Sequence, residues 1–217
     1  GADDADRLLA IARNYPDCIV VADEIYDGLD FTGQHVSIAS RSQDVPVISL
    51  NGVSKVYYAP GWRIGYMALH DPSERMSLVR DGLERLLRSR LCASTPAQLG
   101  YLAGLNSDRS WMEEYSTRVL KQRDYCVERI ESIEGLEVEQ PGGAFYMFIR
   151  LTDEKWMNDD KQFVLDLLQE EHVLVVHGSG FSPELGKGHI RLVYLANQEI
   201  LCEAFDRIER FLLRHRS

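Results

Sequence analysis

The sequence predicts an α/β protein followed by a smaller α+β part. Three observations carry that expectation. The run Cys18-Ile19-Val20-Val21-Ala22 is short, continuous and apolar, and it ends abruptly in Asp23-Glu24-Ile25-Tyr26-Asp27. Such a run reads as a strand buried on both faces, as in a parallel sheet. Two further apolar runs, at 45–50 and 63–69, lie among helical patterns and predict two more strands. After Gly135 the texture changes: Leu136-Glu137-Val138-Glu139-Gln140 alternates, as a strand with one wet face does.

The elements follow in order. Residues 6–14 read as a helix, with Leu8, Leu9, Ile11 and Ala12 on one face and Asp3 or Asp4 able to cap it. Tyr15-Pro16-Asp17 breaks it before the first strand. Residues 27–44 are polar and glycine-containing, which predicts a loop. A helix is expected to begin at Pro72-Ser73-Glu74, with Met76, Leu78, Val79, Leu83, Leu86 and Leu87 periodic. Ser94-Thr95-Pro96 caps another, with proline near its first turn, running to about Leu105. A long helical pattern of mixed charge covers 111–133. Beyond it come a Pro141-Gly142-Gly143 turn and an aromatic-rich strand at 144–151. A helix at 159–171 and strands at 173–176 and 189–195 precede a final helix capped by Asn197. The expected organisation is residues 1–120 as one domain and 121–217 as a second, with the boundary in the long helix. Three strands make a thin sheet for an α/β domain, so the first part reads as the second half of a larger one.

Composition excludes several classes. At 217 residues with a net charge of −10, the chain lacks the basic face of a nucleic-acid protein. It has no apolar run of about 18 residues to span a membrane. The acidic start, Gly1-Ala2-Asp3-Asp4-Ala5-Asp6, is no secretory signal. Cys18, Cys92, Cys126 and Cys202 are widely spaced in apolar or helical contexts, which favours reduced thiols and a cytoplasmic setting. The six histidines form no metal-ligand spacing, so no metal is expected.

Five residues stand out for chemistry. Asp23 ends an apolar strand, the edge where open α/β sheets bind ligands. It could pair a cationic ligand nitrogen or hold a metal; equally, Asp23 or Glu24 could cap the next turn. An apolar strand ending in Asp-Glu also fits a Walker B strand, but the G-x-x-x-x-G-K-[ST] run is absent. Tyr26 is close enough in sequence to line the same pocket. Lys55 follows a strand, where a desolvated lysine becomes a nucleophile or simply lays its stem on apolar surface. Arg63 lies between Gly61 and Gly65; its fork matches phosphate oxygens, or it is a surface arginine opening an edge strand. Arg191 sits inside the apolar run Ile190-Arg191-Leu192-Val193-Tyr194-Leu195. It needs an anionic partner, either a protein carboxylate or a substrate one.

Taken together, Asp23-Glu24-Ile25-Tyr26, Ser54-Lys55, Gly61-Trp62-Arg63-Ile64-Gly65-Tyr66, Pro141-Gly142-Gly143-Ala144-Phe145-Tyr146 and Ile190-Arg191-Leu192 resemble the class I/II aminotransferases in order and approximate spacing. These are fold-type I pyridoxal-phosphate enzymes. The runs Arg90-Leu91-Cys92-Ala93-Ser94-Thr95-Pro96-Ala97-Gln98 and Phe163-Val164-Leu165-Asp166-Leu167-Leu168-Gln169-Glu170 look like the alanine-aminotransferase branch. The resemblance implies the pyridoxal-phosphate-dependent transferase fold, as the second half of the large-domain α/β sandwich plus the C-terminal small domain. It implies pyridoxal 5′-phosphate as cofactor and amino transfer between an amino acid and a 2-oxo acid, with alanine, pyruvate and 2-oxoglutarate as the expected substrates. It also implies a homodimer.

Carried over by position, Lys55 would anchor the cofactor aldehyde and carry the proton. Asp23 would pair with the pyridinium nitrogen, and Tyr26 would bond the 3′ oxygen. Ser54 and Arg63 would lie near the phosphate, and Arg191 would grip the substrate α-carboxylate. The cofactor supplies the carbanion chemistry and the protein tunes it. The sequence departs from the pattern where many relatives carry a phosphate-binding serine three residues before the lysine; here that residue is Gly52. The family's phosphate turn, stacking aromatic ring and 3′-oxygen asparagine are expected to lie outside this chain. Two other uses of the same scaffold are a ligand-sensing domain of a transcription regulator and a carbon–sulfur lyase, since fold does not fix the reaction.

Overall fold

The computed structural model describes residues 1–216. The chain divides into two units, Gly1–Met112 and Glu113–Ser217.

In the first unit, helix α1 (Ala2–Ala12) holds Asp3 and Asp4 in its first turn, where carboxylates suit the positive end of the helix dipole. It therefore starts earlier than the cap pattern predicts. Strands β1 (Val20–Asp23) and β2 (Val47–Gly52) run parallel, with Asp23 opposite Leu50. Between them a short helix, α2 (Ile38–Arg41), interrupts the expected loop. Leu9 and Ala12 of α1 pack with Val20, Ala22, Val45 and Val47, and α2 adds Ile38 and Ala39.

That packing covers one face of β1. Val20 and Ala22 are buried, while Val21 is 61% exposed. The expectation of burial on both faces fails here, because a continuous apolar run does not say which of its two alternating faces is covered.

Strand β3 (Gly65–His70) pairs antiparallel with β2, giving the order β1-β2-β3. Arg63 lies outside β3, in the left-handed conformation that ends a 3₁₀ turn over Pro60–Trp62. Helix α3 (Ser77–Arg90) begins after the expected Pro72–Glu74 start. Asp71 accepts the backbone N–H groups of Arg75 and Met76 at 2.9 and 2.8 Å and holds that segment as a turn. Helix α4 (Thr95–Asn106) has Ser94 at its cap and proline in its first turn. Its Tyr101 packs with Val53 and Ile64.

The second unit comprises most of α5 (Ser110–Ser132), then β4 (Leu136–Val138), β5 (Tyr146–Leu151), α6 (Glu154–Asn158), α7 (Asp160–Glu171), β6 (Val176–His177), β7 (His189–Val193) and α8 (Gln198–Arg214). Its antiparallel sheet has the order β4-β5-β7-β6. Met147, Ile149, Leu151, Ile190 and Leu192 alternate into the core. Trp156 meets Phe163 and Phe211 at ring separations of 5.4 and 5.5 Å. Asn197 caps α8 by accepting the Ile200 N–H at 2.9 Å.

Candidate active site

The parallel register of β1 and β2 builds the centre of the site in the first unit. With Asp23 opposite Leu50, both strands end at the same edge. The Glu24 N–H donates to the Leu50 carbonyl at 2.9 Å and extends the ladder one step. From that edge β1 leads into Asp23–Asp27 and β2 into the Lys55 segment. The carboxyl ends of parallel strands are where open α/β sheets place ligands.

Asn51 ties the two exits together. Its side chain donates to Asp27 at 2.9 Å and accepts the Gly52 N–H at 2.7 Å. Asp23 is exposed and accepts the Ile25 N–H at 3.3 Å, a weak turn contact. Glu24 does the capping instead, accepting the Ile38 N–H at 3.1 Å ahead of α2. A cleft of about 400 Å³ is lined by Asp23, Glu24, Tyr26, Asp27, His35 and Ile38, among others.

Lys55 is half-buried, in a segment whose Val53 and Val56 are buried. Its Nζ lies 5.7 Å from the centroid of the Tyr26 ring, within reach of a cation–π attraction. The structure thus brings Lys55 and Tyr26 together beside the strand end that carries Asp23. Lys55 is also the only lysine in residues 1–112. Ser54 is half-buried next to it.

The departure at Gly52 has a steric reason. A Cβ there would sit 2.8 Å from the Ile64 carbonyl oxygen and 3.0 Å from the Gly65 Cα, so a serine has no room without moving the backbone. Arg63 is exposed and donates from Nη1 to the Pro60 carbonyl at 2.7 Å. Its guanidinium closes its own turn. Around this stretch, burial raises the hydroxyl pKa of Tyr66, with Asp27 and Glu24 adding to the shift, and pushes Tyr101 up to about 12. Both phenols are neutral at physiological pH.

Arg191 belongs to the second unit. It lies in β7, opposite Phe148 of β5 and Val176 of β6. The guanidinium carbon is 4.7 Å from the Tyr146 ring centroid and 4.5 Å from that of Phe181. Its Nε is buried without a hydrogen-bond partner, and no carboxylate among the described residues pairs with it. Within the described residues two aromatic faces, and no carboxylate, stand beside this arginine. An arginine so placed keeps its terminal donors for an incoming anion.

Sequence reasoning missed Asn51, Phe181 and the Tyr146 contact. Tyr146 was within reach, because same-face neighbours recur across antiparallel strands. Phe181 reaches Arg191 from a loop ten residues away, and no periodicity marks it.

The aminotransferase class I and II family matches residues 2–208, and the chain belongs to that family. The alanine aminotransferase of Mycobacterium tuberculosis is 35% identical over 215 residues, covering 97% of this chain and 49% of the relative. The glutamate-pyruvate aminotransferase of Haemophilus influenzae is 37% identical over 217 residues, 97% of this chain and 52% of its own. An aspartate aminotransferase of Thermotoga maritima is 34% identical over 206 residues, 94% of this chain and 49% of the relative. A solved structure of alanine aminotransferase from Pyrococcus furiosus superposes with a TM-score of 0.93 at 46% identity, over 98% of this chain and 53% of that one. The α/β fold is that of the aminotransferases, and the chain spans about half the length of the curated relatives it matches.

Proposed function

We propose that this chain is part of a pyridoxal 5′-phosphate-dependent aminotransferase that moves an amino group between alanine and a 2-oxo acid, pyruvate or 2-oxoglutarate. The observation that carries the reading is the pairing of Lys55 with Tyr26 at the shared carboxyl edge of β1 and β2, where Asp23 ends its strand. The relatives named for alanine and for glutamate–pyruvate transfer support the substrate choice. A cytoplasmic homodimer is part of the same proposal and rests on the family resemblance; among the described residues no helix is long and apolar enough to cross a membrane.

The residues present suit the cofactor. Lys55 is the group to hold its aldehyde carbon, since a lysine amine can bond covalently to a carbonyl carbon. The exposed Asp23 carboxylate would pair with the pyridinium nitrogen, and the Tyr26 phenol would hydrogen-bond the 3′ oxygen. Ser54 and Arg63 would serve the phosphate, Arg63 by releasing the Pro60 carbonyl. When bound, the cofactor supplies the electron sink for α-carbanion chemistry. Lys55 Nζ would hold the proton taken from the substrate α-carbon. Arg191 would orient the substrate by its α-carboxylate, its guanidinium resting against the Tyr146 and Phe181 rings.

A second donor, aspartate, is favoured by the Thermotoga maritima relative. Half-reactions of the full-length enzyme with alanine, glutamate, aspartate and aromatic amino acids separate the two. The reading expects alanine and glutamate to turn over fastest, and Lys55→Ala to lose turnover by at least roughly 10²–10⁴-fold. Near-normal turnover in Lys55→Ala contradicts the assignment, and a clear preference for aspartate replaces the substrate.

A further inference from the structure

Between Lys55 and Arg63 the backbone enters the left-handed region twice, at Tyr58 (φ 51°) and at Arg63 (φ 53°). Residues with a Cβ disfavour this region, and such conformations persist where the surroundings over-determine them. Each of the two is immediately preceded by an aromatic residue that rests on the same helix. Trp62 precedes Arg63, and a Cβ placed on Gly100 of α4 would lie 2.5 Å from its Cζ3 and 2.8 Å from its Cη2. Tyr57 precedes Tyr58, and a Cβ placed on Gly104 would lie 3.0 Å from its Cε1. Gly100 and Gly104 are four apart and share one face of α4.

Glycine within a helix is costly to the helix, so two on one face call for a reason, and the two rings occupy the space their side chains would take. The Tyr57 seat is walled further by Tyr101, edge-on at 5.5 Å, and by Trp111 at 5.6 Å. Val53, Ile64 and Tyr101 form the buried cluster beneath, with Tyr57, Ala59, Ala93 and Ala97 packed on it.

We propose that Gly100 and Gly104 are positioning residues: two sockets on α4 that seat Trp62 and Tyr57 and thereby set the directions of Arg63 and Lys55. Each glycine would act through the ring seated on it. The inference rests on the assignment of Lys55 to the cofactor aldehyde and Arg63 to its phosphate made above. The sockets divide the labour. Gly100, through Trp62, governs the phosphate end, and Gly104, through Tyr57, governs the lysine end. Trp62 is half exposed, so a methyl group at position 100 can push the ring outward without unfolding α4. What is lost is the anchor that holds Arg63 in its left-handed conformation.

The test compares the affinities of pyridoxal 5′-phosphate and of phosphate-free pyridoxal for the full-length enzyme, read by dialysis and by absorbance. Gly100→Ala is expected to weaken pyridoxal 5′-phosphate about tenfold, the order of one impaired charge-assisted hydrogen bond, and to leave pyridoxal nearly unchanged. Gly104→Ala is expected to weaken both by a similar, smaller factor. Trp62→Leu, which keeps both glycines, should reproduce the phosphate-selective loss. Gly100→Ala combined with Trp62→Phe, whose shorter ring clears the methyl group, should recover part of it. A merely structural role would lower both affinities together in Gly100→Ala, and that result, or no change in either, overturns the proposal. Arg63→Ala distinguishes the two levels. If it shows phosphate-selective loss and Gly100→Ala does not, the sockets alone fall. If Arg63→Ala shows none, the phosphate assignment falls and the Gly100 socket with it.

Discussion

The two units hold their candidate site residues by different means. In Glu113–Ser217 the side chains of Trp156, Phe163, Phe205 and Phe211 are almost fully buried, and Arg191 sits on a strand flanked on both sides. In Gly1–Met112, α3 buries nothing, four of the six residues of β3 are exposed, and β1 is covered on one face. There the Lys55 segment is held by local devices: the Asp23–Leu50 register, the Asn51–Asp27 bond, the Gly52–Gly65 approach and the ring seats on α4. One unit positions its arginine through a core, and the other positions its lysine through a chain of short-range constraints.

Trp156→Ala is expected to cost about 3–5 kcal/mol, the range for deleting a fully buried aromatic side chain. Leu87→Ala on α3, at 63% exposure, is expected to stay within about 0.5 kcal/mol, as surface changes do. Equal losses in thermal unfolding would show α3 to be packed as firmly as the aromatic core.

The two units also differ in how they respond to pH. Glu171, only 5% exposed, accepts from Arg210 Nη2 at 2.6 Å and from Arg214, while Arg207 donates to its backbone carbonyl at 2.9 Å. The hydrogen bond from Arg210, together with the nearby arginine charges, holds its carboxyl below the ordinary 4.5. A depressed carboxyl pKa contributes stability above the unfolded value that is lost as pH falls through the folded one. Glu171→Gln should therefore lower the melting temperature at neutral pH, with the gap to the parent closing as pH drops below about 4.5. In the first unit, Asp6 pairs with Arg41 at 2.5 Å and is likewise shifted down. That pair is exposed, so Asp6→Asn should show the same sign and a much weaker effect. A gap for Glu171→Gln that persists unchanged in acid would remove the ion cluster from the account of the second unit.

Much of this was legible in the sequence. Ser94 with Pro96 and Asn197 mark α4 and α8, because caps are local chemistry. The aromatic and apolar alternation in β5 shows which residues enter the core. The two apolar runs ending in polar turns mark the ends of β1 and β2, while the joining of Lys55 with Tyr26 came from the family resemblance. What failed was non-local or conformational. The exposed face of β1 depends on which helices cover it, and composition does not carry that. The sequence predicts Arg63 at the start of a strand, because nothing in an arginine announces a positive φ. Asp71 delays α3 through two backbone contacts that resemble an ordinary helix cap until the register is known. The seats of Trp62 and Tyr57 require α4 to be placed beside a segment some forty residues earlier in the chain.

The central claim is that Lys55 is the residue that binds the cofactor aldehyde. Borohydride trapping of the full-length enzyme with pyridoxal 5′-phosphate, followed by peptide mapping, tests it directly. Lys121, Lys155, Lys161 and Lys187 in the second unit serve as internal controls. The account predicts a stoichiometric adduct on the peptide containing Ser54-Lys55 and loss of that adduct in Lys55→Ala. An adduct on any of the other lysines in place of Lys55, or none on the parent enzyme, contradicts it.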